Sequence, residues 1–417
     1  MLLEIDAAAA FARTMARAAT LSTRERIVHH QRRQSARLTA DARKAIPFYQ
    51  STRASFDGLP IIDKAIQQSR FAEFNALGVT VAEIVAALDS GRETVRDHFV
   101  GQSTGTSGNR SRFVISPRER LTWLGTIVAK ALPDALFRRR RVALALPGLS
   151  ALYRSAASAS RIQLAFFDLA RGVHAWRDEL IRFAPEVLVA PPKVLRLLAE
   201  SGALADVQAF SGAEVLDPLD RGVIERATGR TVREIYMATE GLFGVACRHG
   251  TLHLAEDVMR FEWEPVPGTV LVMPIVTDLV RRVQPMIRYR MNDLLELSDR
   301  PCSCGSAFQA VARVHGRMDD VFEFEGPAGS LIATPDILRN AVVDTDPRIL
   351  DFRVTQKLDG HIIVSLNAAL PLDVHEAARA SVERVLRRLG AAPVVQSVCG
   401  IPPLVDRKLR RVERERL

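Results

Sequence analysis

The 417-residue chain is poor in cysteine, lysine and aromatic residues, with four Cys, six Lys and 6% Phe, Trp and Tyr. Four cysteines in so long a chain exclude a disulfide scaffold, and Cys302 and Cys304 are too close in sequence for an ordinary mutual bridge. A reducing, cytoplasmic setting is therefore expected. No window reaches the ~18 consecutive apolar residues of a membrane span. Glu4 and Asp6 stand where a secretory leader needs basic and then unbroken apolar residues, so no leader is expected. Aromatics are too few for base-stacking platforms, and the basic excess is interspersed with acids, so neither nucleic acid nor membrane is an expected partner. The composition leaves the oligomeric state open.

What remains is the profile of a globular protein: 47% hydrophobic, 25% charged, and long enough for two or three domains of about 150 residues each. The net charge is +9, carried by 51 arginines. The densest basic runs, Arg138 to Arg141 and Lys408 to Arg411, read as solvated faces that also suit a polyanion.

Ala/Arg-rich amphipathic stretches over 7–20, 31–45 and 79–89 predict a helical lead-in spanning 1–95. Beyond it, short apolar runs alternate with helical patterns: Arg141–Leu146, Glu186–Ala190, the helical Lys193–Glu200, Thr231–Tyr236 and Gly268–Pro274. That alternation predicts an α/β fold with layered sheets and helices. Strand-like Val321–Glu325, Leu350–Thr355 and His361–Asn367, a helix over 373–389 and a strand over 393–398 predict a small α+β unit. The expected domains are 1–317 and 318–417. Cys399, in the smaller one, is expected to be a small buried hydrophobe.

Three segments carry chemistry. Ser103, Thr104, Gly105, Thr106, Ser107 and Gly108 form a hydroxyl/glycine loop between strand-like 98–100 and 112–115. Glycines permit the turns that aim successive N–H groups at one point, and hydroxyls add donors, which together cradle phosphate oxygens. The Gly-Lys-Ser/Thr ending of a Walker loop is missing. Thr239-Glu240 follows the strand that ends near Tyr236. By itself such a pair reads as a helix N-cap; at the mouth of an α/β sheet its carboxylate suits Mg²⁺-bound phosphates. The third segment, Ile287 to Asp293, ends in a carboxylate suited to a ribose diol.

The order and spacing of these segments, with Gly316-Arg317-Met318-Asp319-Asp320 and the late Lys408, resemble the adenylate-forming superfamily. Within it the chain is similar to the phenylacetate–CoA ligase branch, near aryl-acid ligases and deazaflavin-cofactor adenylating synthetases. Phe166-Phe167-Asp168-Leu169, Leu188 to Lys193 and Ser211-Gly212-Ala213-Glu214 extend the resemblance over about residues 95–417.

The resemblance implies an ATP-dependent ligase that adenylates a small aromatic carboxylic acid and passes the acyl group to a pantetheine thiol. That thiol belongs to an acyl carrier protein or to CoA; the positive charge suits both, and the carrier protein is preferred. Ser103 to Gly108 would hold phosphates, Thr239 and Glu240 would act with Mg²⁺, and Ser211, Gly212, Ala213 and Glu214 would line the adenine slot. Asp293 would take the ribose, with Arg317 also at the nucleotide, and Lys408 would bridge carboxylate and phosphate. Asp319 would be the hinge, while Tyr153, Tyr236 and Ala238 would line the acid pocket. Two departures stand out: Asn109-Arg110 where many members carry Lys-Pro, and Asp406-Arg407 where Gly commonly precedes the lysine. Alternatives are a synthetase that adenylylates a cofactor without a thiol step, and a zinc-stabilised binding protein whose active site has decayed.

Cys247, His253, Cys302 and Cys304 form a spaced Cys₃His set. Gly250 implies a hairpin tip that sets Cys247 opposite His253, with His249 the rival ligand. Four protein ligands leave no open position, so zinc here is expected to be structural. The resemblance points the same way, since some members of the branch carry a structural zinc at this place.

Overall fold

A computed structural model describes residues 2–103, 110–146, 162–326, 329–401 and 410–415. The helical lead-in contains α1 (Leu2–Thr20), α2 (Arg24–Ala45) and a helix at Val81–Asp89. α2 begins where the Thr23 hydroxyl accepts a bond from the Arg26 N–H and ends just before Pro47. Its buried edge, Ile27, Gln31, Ser35, Leu38 and Ala42, recurs in steps of three and four. α1 packs on the helix Pro117–Ala131 at Gly125, where an added Cβ would collide with the carbonyl oxygen of Ala7.

β1 (Thr94–Val95), β2 (His98–Gln102) and β3 (Arg112–Ile115) make a small antiparallel sheet, with the hydroxyl/glycine segment between β2 and β3. The main sheet starts from five parallel strands: β4 (Arg140–Leu146), β5 (Ile162–Asp168), β6 (Val187–Ala190), β7 (Gln208–Gly212) and β8 (Arg233–Ala238). Their spatial order is β5-β4-β6-β7-β8. Helices Val173–Phe183, Pro192–Glu200 and Pro218–Thr228 make the crossovers between successive strands from β5 to β8.

These strands read as continuous apolar runs because both faces are covered. Alternate residues feed two cores. Val142, Leu144, Val187 and Phe210 face one side with α2 residues Leu38 and Ala42. Ala143, Ala145, Leu188 and Ala209 face the other with Trp176, Leu180, Leu198 and Ile224.

β9 (Gly241–Ala246) returns antiparallel to β8, and β10 (Leu252–Leu254) pairs antiparallel with β9. β11 (Met259–Pro265) and β12 (Val272–Asp278) form a hairpin, and β13 (Tyr289–Arg290) pairs with β12. The strand expected over Gly268–Pro274 is thus displaced toward the C-terminus. Gly268, at φ +73°, belongs to the turn before it.

The chain divides into two units, Met1–Met291 with Leu297–Ala312, and Asn292–Glu296 with Arg313–Leu417. β14 (Asp293–Leu297) and β15 (Ala310–Arg317) contribute to both, and Ala310 and Val311 of β15 pair with β10. The second unit contains the hairpin β16 (Phe322–Gly326) and β17 (Gly329–Ala333). It also has a four-stranded sheet of β18 (Phe352–Gln356), β19 (Ile362–Leu366), β20 (Val395–Cys399) and β21 (Val412–Arg414), in the order β20-β19-β18-β21. Helices Pro335–Val343 and Leu372–Arg388 pack together beside it. Cys399 is exposed on the edge strand β20, not buried as its residue type implied. Among the described residues no helix is long and apolar enough to cross a membrane.

Candidate active site and metal centre

Because β6, β7 and β8 are parallel, their C-terminal ends open at one edge of the sheet, the usual place for a ligand in an open α/β sheet. Ser211 and Gly212 end β7 there. Ser211 is 2% exposed, and its hydroxyl oxygen has no hydrogen-bond partner among the described residues. Ala213 follows at φ +68°, and the Glu214 carboxylate lies 3.7 Å from Lys193 Nζ.

β8 brings Tyr236 and Ala238 to the same edge. The ladder with β9 slips after Tyr236, which pairs with Gly244 while Met237 pairs with Leu242, so Phe243 is the extra residue of a bulge. The Tyr236 and Phe243 rings pack at 4.9 Å between centroids. Thr239 and Glu240 form the two-residue turn that joins β8 to β9, and not the helix N-cap that the pair alone suggests.

The turn buries its carboxylate. Glu240 is 6% exposed; the Thr239 hydroxyl donates to its Oε2 at 2.8 Å, and the Tyr289 hydroxyl donates to its Oε1 at 3.5 Å. Arg281 Nη2 donates to the Thr239 carbonyl at 2.7 Å, and Arg281 Nε lies 3.4 Å from Asp278 Oδ2. Asp278 Oδ1 accepts from the N–H groups of Val280 and Arg281, at 2.7 and 3.1 Å. Burial pushes the Asp278 carboxyl above the usual range, against the pull of Arg281. Burial and then the Glu240 charge push the Tyr289 phenol up as well, so at neutral pH it keeps its proton.

Tyr289 lies inside the segment singled out for Asp293, yet its role escapes sequence reasoning, as do those of Asp278, Arg281 and Ser111. Ser103 and Ser111 close the neck of the hydroxyl/glycine loop. Ser103 N–H donates to the Ser111 carbonyl at 2.7 Å, and Ser111 N–H donates to Ser103 Oγ at 3.0 Å. Thr104, Gly105, Thr106, Ser107, Gly108, Tyr153 and Lys408 lie outside the described residues.

In the second unit Asp293 is 9% exposed, and Arg317 Nε stands 3.6 Å from its Oδ1. Asn292 Nδ2 donates to Asp319 Oδ2 at 2.8 Å, and Met318 N–H donates to the Asn292 carbonyl at 2.7 Å. Burial raises the neighbouring Asp320 carboxyl to about 6, although Arg410 Nη1 donates to it at 3.0 Å.

The Cys/His residues do converge. The ligand atoms of Cys247, His253, Cys302 and Cys304 all lie within 4.8 Å of one another. The hairpin tip at Gly250 is as expected, with Gly250 N–H donating to the Cys247 carbonyl, but the register corrects the pairing. Thr251 stands opposite Cys247, and His253 opposite Val245. Cys247 and His253 are therefore diagonal neighbours, which still share one face.

The Cys247 and Cys302 sulfurs are 3.8 Å apart, and Cys304 Sγ is 3.3 Å from His253 Nε2. Tetrahedral zinc places S···S edges near ~3.8 Å and S···N edges near ~3.5 Å, so the donor set fits. His253 Nδ1 bonds the Phe308 carbonyl at 3.1 Å, which leaves Nε2 toward the sulfurs. His249 is not in the cluster; its ring nitrogen accepts from Arg248 Nε at 3.1 Å. Burial opposes ionisation of Cys302, but bonds with Thr251, Cys304 and His253 outweigh it and hold the thiol down at about 6. Burial raises Cys304 to about 11.

No protein-family model matches the chain. Protein CapK of Staphylococcus aureus is 25% identical over 197 residues, covering 45% of this chain and 43% of CapK. Phenylacetate–coenzyme A ligase of Thermus thermophilus is 27% identical over 165 residues, covering 34% of this chain and 37% of the ligase. The matches thus span less than half the length of these relatives. Among solved structures, 2-hydroxyisobutyryl-CoA ligase in the postadenylation state superposes with a TM-score of 0.68 at 19% identity, over 94% of this chain and 89% of that one. The chain has the fold of the acyl-adenylate-forming ligases, and in sequence it resembles their phenylacetate–CoA ligase branch.

Proposed function

We propose that the protein is an ATP-dependent acid–thiol ligase that adenylates a small aromatic carboxylic acid and transfers the acyl group to a pantetheine thiol. The observation that carries this reading is the buried Glu240 carboxylate. It is held by Thr239 and Tyr289 at the C-terminal edge of the parallel strands. The aromatic acid is supported by the similarity to a phenylacetate–coenzyme A ligase.

In the first half-reaction a carboxylate oxygen attacks the α-phosphorus of ATP, and the bond to pyrophosphate breaks. Catalysis is then mostly positioning and charge neutralisation. Ser103 to Gly108 hold the phosphates, and the unpartnered Ser211 hydroxyl, with Gly212, Ala213 and Glu214, faces the adenine. Asp293 accepts from the ribose hydroxyls with Arg317 beside it, Tyr236 and Ala238 border the acid together with Tyr153, and Lys408 neutralises the oxygens at the reacting phosphorus. Glu240 is the ligand for Mg²⁺, which supplies charge neutralisation at the phosphates.

In the second half-reaction the thiol sulfur attacks the acyl carbonyl, AMP leaves, and the thiol proton passes to solvent. Asp319 is the hinge between the two steps. CoA and an acyl carrier protein present the same thiol; the net charge of +9 suits an acidic carrier. Cys247, His253, Cys302 and Cys304 hold a structural zinc.

Acid-dependent ATP–pyrophosphate exchange over a panel of benzoates, arylacetates and short hydroxy acids tests the first step, and acyl transfer to CoA or to a pantetheinylated carrier tests the second. Exchange with an aromatic acid and a thioester product is the expected result. Exchange with no transfer to either thiol would establish the adenylylating alternative, and no exchange with any acid the decayed-site one.

A further inference from the structure

We propose that Arg281 is a positioning residue that fixes the Thr239-Glu240 turn, and through it the aim of the Glu240 carboxylate at the metal. The proposal rests on the ligase reading above and adds to it a residue with no assigned role.

The turn is not of the kind that holds itself. Two-residue hairpin turns that match the twist of their strands have positive φ at one or both turn residues. Neither Thr239 nor Glu240 has it, although Ala238 and Gly241 pair across just these two residues. Support comes instead from the segment after β12, where Arg281 Nη2 donates to the Thr239 carbonyl at 2.7 Å. That oxygen lies in the same rigid peptide plane as the Glu240 nitrogen, so holding it limits the direction in which the Glu240 side chain leaves the backbone. The Thr239 hydroxyl in turn donates to Glu240 Oε2 at 2.8 Å. Thr239 is thus gripped at its carbonyl and itself grips the carboxylate.

Arg281 is also built into place. Asp278 ends β12, and its Oδ1 accepts from the N–H groups of Val280 and Arg281, which fixes the arginine backbone. Its Oδ2 stands 3.4 Å from Arg281 Nε and steers the guanidinium, whose side chain is 12% exposed. The same Oδ2 lies close to the turn, since a Cβ added at Gly241 would come within 3.4 Å of it. The guanidinium reaches Asp278 and Thr239 through separate nitrogens, a fork that lysine does not reproduce. Its third nitrogen, Nη1, is buried and has no partner among the described residues. An unpaired buried donor costs stability, so an ion pair that only strengthened the fold is a poor account of this residue.

The test is calorimetric binding of ATP to the full chain without any acid, once with Mg²⁺ and once without added metal, together with thermal unfolding. Arg281→Met is expected to weaken MgATP about tenfold, as for one charge-assisted bond lost, and to leave ATP without metal within about twofold. Glu240→Gln should show the same pattern, and the double variant should lose little more than Glu240→Gln alone, because the arginine acts through that carboxylate. Where Arg281→Met fails to fold, Arg281→Lys keeps the charge but loses the fork, and should show the pattern at about threefold. An arginine that only braced the fold would lower the thermal midpoint and leave both affinities alone. One that itself met the phosphates would weaken ATP with and without metal. Either result overturns the proposal, as do losses that multiply in the double variant. A wild-type chain that binds ATP neither with nor without Mg²⁺ overturns the ligase reading, and the role of Arg281 with it.

Discussion

Glu240 is the residue on which the proposed chemistry turns, and its surroundings set what a substitution does. Both oxygens have hydroxyl donors, so Glu240→Gln preserves shape and much of the bonding but removes the charge. Acid-dependent exchange should fall by roughly 10²-fold or more while thermal stability changes little, since the loss of a charge-stabilising group is felt chiefly in the transition state. Exchange within tenfold of wild type would show that the cation is held elsewhere. Asp320 gives a second residue-scale expectation, on stability. Burial raises its carboxyl to about 6 in the folded chain, above the ~3.9 of an unfolded aspartate. The folded state therefore binds the proton more tightly, and this contribution is full below pH ~4 and lost as pH rises through about 6. Asp320→Asn removes that slope. Urea unfolding at pH 4, 5, 6 and 7 should show the wild type losing ground relative to the variant by up to about 2–3 kcal/mol across the window. Parallel curves would mean that Arg410 fully offsets the burial.

At the scale of elements, the hairpin β9–β10 carries two of the proposed metal ligands, Cys247 and His253, and the connection from β14 to β15 carries Cys302 and Cys304, which allows two independent perturbations. Cys302→Ser removes a sulfur donor; purified protein should drop from about one zinc per chain toward none, with thermal stability falling too. Gly244→Ala leaves every ligand in place, but its Cβ would come within 2.6 Å of the His253 carbonyl and push β10 from β9. It should likewise loosen zinc, measured by release to a chelator, and a variant that holds zinc as the wild type does would show that the backbone at His253 is not what aligns the donors. The elements also show what a sequence makes legible. The strands β4, β6 and β7 could be read because their Val, Leu, Ala and Phe runs serve two cores at once, a pattern local to each strand. The cysteine and histidine set could be read from spacing alone. The diagonal register of Cys247 and His253 could not, because it depends on the three-residue tip at 248–250. The Thr239-Glu240 turn was legible as a pair but not as a hairpin, since β8 and β9 form one apolar stretch with only that pair between them. Tyr289 has partners at positions 62 and 240, and no local pattern announces contacts at such separations.

At the scale of the whole molecule, the proposed ligase must perform two reactions with different needs. Adenylation develops negative charge at the α-phosphorus, where Lys408 is proposed to act; thioester formation starts from an adenylate already made and has no comparable task for that lysine. Lys408→Ala should therefore slow adenylation by several orders of magnitude and leave transfer from chemically supplied acyl-adenylate nearly intact. Asp319 lies in the segment Met318–Asp320 of the second unit, hydrogen-bonded from Asn292. Proline there fixes φ near roughly −65° and restricts Met318 as well, which hinders a hinge more than a binding contact. Asp319→Pro should accordingly show the opposite split, with adenylation preserved and transfer slowed. The two half-reactions are separable, the first by pyrophosphate exchange and the second by thioester release from supplied adenylate. A lysine that was one more cation in a basic run would affect neither step, and a proline that merely damaged the second unit would depress both. Equal losses across the two steps in both variants would therefore refute a hinge that serves one half-reaction at a time. Opposite losses are the signature that a single rigid site cannot produce.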